Sequence, residues 1–136
     1  MSATVREQWI EELRSGKYNQ GQYRLKRETD SGPLYCCLGV LCQVLRLEET
    51  PYESEELYGY RDGDEAGVIE FAGMIGTVPD EASKAAGMTQ AEAHRLASLN
   101  DSGRFSFDLL ANVIEDGKIL ETHAGRLVSI DEVWMS

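Results

Sequence analysis

Leu34-Tyr35-Cys36-Cys37-Leu38-Gly39-Val40-Leu41-Cys42-Gln43-Val44-Leu45-Arg46-Leu47 is the stretch on which the fold turns. It is almost wholly apolar, too long for one ordinary strand and short of the roughly 18 to 20 residues that a membrane span requires. A segment that is apolar all round must be buried on all sides, so it predicts a buried central helix over about residues 36–46. Gly39 falls in its middle, where glycine costs on the order of 1 kcal/mol relative to alanine. A close backbone contact at Gly39 is the expected compensation.

Upstream, Thr4 and Glu7 make a capping box, and Val5, Trp9, Ile10 and Leu13 keep helical spacing up to a stop at Gly16. Tyr18 to Glu28 reads as a turn with a short strand, closed by the breakers Asp30-Ser31-Gly32-Pro33. Downstream, Glu48 to Glu65 reads as an acidic, tyrosine-rich loop with one helical turn at Ser54 to Tyr58. Val68 to Met74 fits a strand or a helical turn equally well. Pro79-Asp80-Glu81 opens a short helix with proline at its first position, ending near Gly87. Thr89 and Glu92 repeat the capping box ahead of the stripe Ala93, Leu96 and Leu99, which Asn100-Asp101-Ser102-Gly103 stops. Ser106 caps a last helix with Phe107, Leu110, Ala111 and Ile114 on one face and Gly117 at its end. Lys118–Glu121 and Arg126–Ile130 alternate about Thr122-His123-Ala124-Gly125 and predict a C-terminal β-hairpin. The sum is an α+β, mainly helical single domain spanning residues 1–136.

Charge is the strongest compositional signal. The 136 residues hold 13 basic and 24 acidic side chains, a net charge of −11, which repels phosphate backbones and anionic membranes at long range. Direct nucleic-acid or membrane binding is therefore not expected. The three cysteines are an odd number crowded into Cys36, Cys37 and Cys42, which points to free thiols and a reducing compartment. The N-terminus is amphipathic and unlike a signal peptide, so a cytoplasmic location is expected. Charge is also segregated: residues 1–27 carry six bases against three acids, whereas Glu48 to Glu70 carries nine carboxylates against Arg61 alone.

Familiar chemistry is hard to assemble from these residues. A thiol at a helix start is a candidate nucleophile, yet the only histidines, His94 and His123, are remote in sequence from Cys36 and Cys37, and free cysteine is usually a core residue. The cysteines lack zinc-site spacing. Asp62-Gly63-Asp64-Glu65 and Asn100-Asp101-Ser102-Gly103 fit turns better than calcium loops. No phosphate-loop, dinucleotide, nucleophile-elbow or HExxH motif occurs, so no catalytic residue, metal or cofactor is assigned. Lys17, Gln20, Tyr23, Arg24, Lys26 and Arg27 do combine cations, an amide and aromatic faces, the ingredients for holding a phosphate or nucleotide. The plainer alternative pairs these bases with the chain's own acidic stretch.

LRSGKYNQG, YCCLGVLCQVL and LASLNDSGRFSFDLLANVIED together resemble a group of small phage and prophage proteins. The likeness covers about residues 9–47 and 80–116, and CCLGVLC is its most specific block. Gln43 stands where the group often has an acidic residue. The resemblance implies a phage origin and a bacterial host cytoplasm, without implying a mechanism. It leads to a phage accessory protein that antagonises a host or defence protein, with Glu53, Glu55, Glu56, Asp62, Asp64 and Glu65 imitating nucleic acid on a basic host surface. A second expectation is a sponge for a nucleotide or other small anion, held by Lys17, Gln20, Tyr23, Arg24 and Arg27. A third is a small enzyme using Cys37, His94, Asp101 or Glu70.

Overall fold

The computed structural model describes residues 4–51, 68–71, 74 and 78–122. Five helices and five short strands lie along them, an α+β arrangement. The helices are α1 (Val5–Arg14), α2 (Cys37–Val44), α3 (Asp80–Ala85), α4 (Gln90–Asp101) and α5 (Phe107–Asp116). The strands are β1 (Asn19–Gln20), β2 (Lys26–Thr29), β3 (Gly32–Tyr35), β4 (Glu49–Pro51) and β5 (Val68–Phe71).

Helix α2 is the buried centre that its composition demands. Cys37, Leu38, Gly39, Val40, Leu41 and Cys42 are all buried, and each large apolar side chain so buried contributes about 1.5–3 kcal/mol. Helices α1, α4 and strand β3 pack on it, and α5 closes the layer against α1. The indole of Trp9, itself inaccessible, donates to the Cys37 carbonyl at 2.9 Å, which fixes α1 across the start of α2. Gly39 makes the close approach expected of it: a Cβ there would lie 1.8 Å from the Leu25 carbonyl oxygen. The cost of glycine inside the helix is offset by the contact it permits.

The sheet runs in the order β1-β3-β2-β5-β4, parallel between β1 and β3 and antiparallel elsewhere. Strands β2 and β3 form a hairpin about Asp30 and Ser31, with Lys26 opposite Tyr35 and Arg27 opposite Leu34. The segment Val68–Phe71, ambiguous by periodicity, is a strand between β2 and β4. Its neighbour β4 lies where a loop was expected, because residues as exposed as Glu49, Thr50 and Pro51 take strand geometry from their partner. Lys26 reaches Glu49 at 2.6 Å and Glu28 at 3.7 Å, joining β2 to β4 across β5.

Local signals set most helix ends. Both capping boxes form, Thr4 with Glu7 and Thr89 with Glu92, and Ser106 accepts from the Leu109 N–H to start α5. Pro79 sits one position earlier than predicted, as the N-cap of α3. Helix α3 ends against α1, where the Arg6 guanidinium donates to the carbonyls of Ala86 and Gly87. Gly117 closes α5 in the left-handed conformation, and the Lys118 N–H bonds back to Val113.

The tail departs from expectation. Lys118–Glu121 is a turn and not a hairpin arm, and Arg126–Ile130 lies outside the described residues. Burial of Ile119 beside exposed Leu120 imitates strand alternation, but the carbonyls of Leu120 and Thr122 are taken by the Arg95 side chain. The helical turn at Ser54–Tyr58 also falls outside the described residues. Among the described residues, no helix is long and apolar enough to cross a membrane.

Candidate functional site: a groove beside a buried asparagine

Asn100 is fully buried near the C-terminal end of α4 and uses both ends of its amide. Its Oδ1 accepts from the Gln20 side-chain amide at 2.8 Å and from the Cys37 backbone N–H at 3.2 Å. Its Nδ2 donates to the Gly21 carbonyl at 2.8 Å and to Asp101 Oδ1 at 3.2 Å. The N-cap residue of α2, Cys36, makes no side-chain cap bond, so the first N–H of the central helix is satisfied from a distant helix. The three sequence blocks around Gln20-Gly21, Cys36-Cys37 and Leu99-Asn100-Asp101 thereby converge on one amide.

This node fixes the loop between β1 and β2. The Gln20 amide also donates to the Phe105 carbonyl at 2.9 Å, tying the loop to the 103–106 turn. The Gly21 N–H donates to the Tyr35 carbonyl, and a Cβ on Gly21 would meet Leu34 Cβ at 2.7 Å, so only glycine fits. Tyr23 adopts φ +72°, a left-handed conformation that costs a non-glycine residue about 1–2 kcal/mol. Its N–H donates to Asp101 Oδ1 at 2.8 Å, which holds it there. The carboxylate of Asp101 thus receives bonds from its own helix and from the loop.

Between this loop, the β2–β3 hairpin and the start of α5 lies an open groove of about 890 Å³, with Gln20, Tyr23, Arg27, Arg104, Ser106 and Leu109 on its walls and Leu34 among its apolar lining. Tyr23 is 64% exposed and Leu109 42%. Cationic guanidinium groups and amides alongside accessible apolar surface are what a small ligand with a charged end and a flat body requires.

Only part of the expected basic arm contributes. Gln20, Tyr23 and Arg27 line the groove, whereas Lys17 pairs with Glu12 at 3.2 Å and Arg24 Nη1 turns back to the Tyr23 carbonyl; neither lines it. Lys26 is buried against Glu49, which realises for one residue the pairing of arm with acidic stretch. Burial opposes its charge, yet the hydrogen bond that Lys26 donates to Glu49 and the neighbouring Tyr35 leave its ammonium above its ordinary pKa. Gln22, Arg104, Ser106 and Leu109 were missed by the sequence reading. Ser106 is the N-cap of α5 and a wall of the groove at once. The acidic candidates Glu53, Glu55, Glu56, Asp62, Asp64 and Glu65 lie outside the described residues.

The residues named for an enzyme are not gathered into a reactive pair. Cys37 is inaccessible, its thiol directed at the Leu96 carbonyl, while His94 is exposed on α4. Burial holds the Cys37 thiol well above its ordinary value and pushes Cys36 up to about 12, so both stay protonated. Asp101 is committed to Tyr23 and Asn100, and Glu70 lies on β5. Among the described residues, no three of His, Cys, Asp or Glu are grouped to hold a metal ion.

A family model described as a domain of unknown function (DUF8296) matches residues 1–118, and the chain belongs to that family. The match contains every residue that lines the groove. No curated protein and no solved structure matches the chain.

Proposed function

We propose that this member of the DUF8296 family is a binding module that takes a small anion, a nucleotide or a similar molecule, in the groove beside Asn100. The observation that carries the reading is the convergence of Gln20, Tyr23 and Arg27 with Arg104 on one groove of about 890 Å³. Guanidinium groups bind phosphate or carboxylate oxygens through charge-assisted hydrogen bonds, each worth about 1.5–3 kcal/mol. The net charge of −11 opposes an anion at long range, so affinity rests on these short contacts and not on steering. Calorimetry with sodium pyrophosphate tests it. Binding to the wild-type chain should weaken at least about tenfold in Arg27→Ala/Arg104→Ala, with the folded state of the variant checked by thermal melting. No heat with the wild type, or equal affinity in both, removes the reading.

A second reading is favoured by charge. Nine carboxylates between Glu48 and Glu70 support an acidic face that occupies a basic surface of a host protein, centred on Glu53, Glu55, Glu56, Asp62, Asp64 and Glu65. Reversal of Glu53, Glu55 and Glu56 to Lys should abolish salt-sensitive capture of that protein from host lysate, and unchanged capture eliminates this version. Under either reading the chain acts as a phage-type accessory factor in the bacterial cytoplasm, which the free thiols and the CCLGVLC block support.

A further inference from the structure

Of the three large apolar side chains that are exposed among the described residues, Tyr23, Leu109 and Leu120, two stand on the walls of the groove. Exposed apolar surface is unfavourable in water, and a cluster of it on a groove marks a contact surface. The cations of the same groove come from other elements: Arg27 from β2, beside Leu34 of β3, and Arg104 from the turn before α5. Tyr23 is held at φ +72° by the bond from its N–H to Asp101. A strained backbone that presents an aromatic ring to water is a conformation the surrounding structure must impose.

We infer that the groove is divided into an anion half, Arg27 and Arg104, and a ring half, Tyr23 and Leu109, so that its ligand class is a phosphate bearing an aromatic base, a mononucleotide. Asp101 is the positioning residue of the ring half: it touches Tyr23 and not the ligand, and sets where the ring stands. The inference rests on the anion-binding reading above, and it adds that the base, as well as the phosphate, is recognised.

Ribose 5-phosphate and the four 5′-mononucleotides AMP, GMP, CMP and UMP present the same phosphate without and with a base. Stacking on an aromatic side chain is worth about 1–3 kcal/mol, so at least one mononucleotide should bind the full chain about 5- to 150-fold more tightly than ribose 5-phosphate. Tyr23→Gly should erase that preference, so that no mononucleotide binds the variant more tightly than ribose 5-phosphate does. Glycine accepts the left-handed conformation, so this variant should fold at least as well as the wild type. Asp101→Ala should reduce the preference several-fold, and Asp101→Asn, which keeps an oxygen acceptor for the Tyr23 N–H, should restore it. A purely structural Asp101 would instead shift the melting temperature and leave the ratio between the two ligand types untouched. If pyrophosphate and ribose 5-phosphate bind but no mononucleotide binds more tightly, the ring half is overturned and the anion reading stands. If none of the probes binds, both fall together.

Discussion

Helices α4 and α2 begin in opposite ways. Helix α4 carries its cap within four consecutive residues, where the side chains of Thr89 and Glu92 each accept from the other's backbone N–H. Helix α2 has no such device: Cys36 is a passive N-cap residue, and Asn100 reaches its first N–H across 63 residues of sequence. The first kind of cap can be read from sequence and acts before anything else has folded. The second exists only once two distant segments meet, and it also holds Gln20 and Gly21 in the groove wall. A remote cap can therefore couple helix stability to a site, which a local box at an exposed helix end does not.

The contrast can be broken most severely at Asn100. Asn100→Ala leaves the buried Cys37 N–H and the half-buried Gly21 carbonyl without this partner, and each orphaned buried group costs about 1–3 kcal/mol. A loss of about 3 kcal/mol or more in urea unfolding is expected, together with loss of ligand binding, since the loop carrying Tyr23 is released. A loss below about 1 kcal/mol would deny Asn100 its place as the cap.

Raising the pH probes α2 through its thiols. Burial pushes Cys36 from 9.0 up to about 12, and Cys37 and Cys42 move the same way. An unfolded thiol gives up its proton above its ordinary value while the folded one retains it. This contribution to stability is thus intact below about pH 9 and disappears as the pH climbs towards 12. For Cys36 alone the loss is about 1 kcal/mol one unit above the unfolded pKa. Urea midpoints at pH 7 and pH 10 should diverge more for the wild type than for Cys36→Ala, and parallel behaviour would show that the thiol does not carry the effect.

The smallest change is expected at the local cap. Thr89→Ala should cost about 1 kcal/mol and leave groove binding unaltered, because the bonds it removes lie at the other end of α4 from Asn100. Altered ligand affinity in Thr89→Ala would mean that the two caps are not independent.

The same distinction explains what was legible in the sequence. Helices α1, α4 and α5 were readable because Thr4, Thr89 and Ser106 mark their starts within one turn. Buried α2 was readable from composition, and even its need for a contact at Gly39 followed from propensity. Strand β4 was not, since Glu49-Thr50-Pro51 has no apolar alternation and takes its geometry from β5. In the site, Gln20, Tyr23 and Arg27 were visible as residue types, but the withdrawal of Lys17 to Glu12 depended on the turn between them. Asn100 reads as part of a helix stop because Asn-Asp-Ser-Gly is turn chemistry. Its position four residues after Leu96 and seven after Ala93 places it on the buried stripe of α4, and a polar residue on that stripe was the available clue.

The reach of that asparagine also bears on kinetics. With eight residues, a central glycine and no cap of its own, α2 is below the length at which an isolated helix persists, about 12–15 residues. The contact that completes its first turn closes a loop of 63 residues, whose entropy must be met before the bond forms. Helix α4 can start from its own Thr89, whereas α2 must wait for α4 to arrive. The most buried of the described helices is thus among the last to be finished, an order that pulse-labelled amide exchange during refolding would overturn if the Cys37 N–H were protected before those of α4.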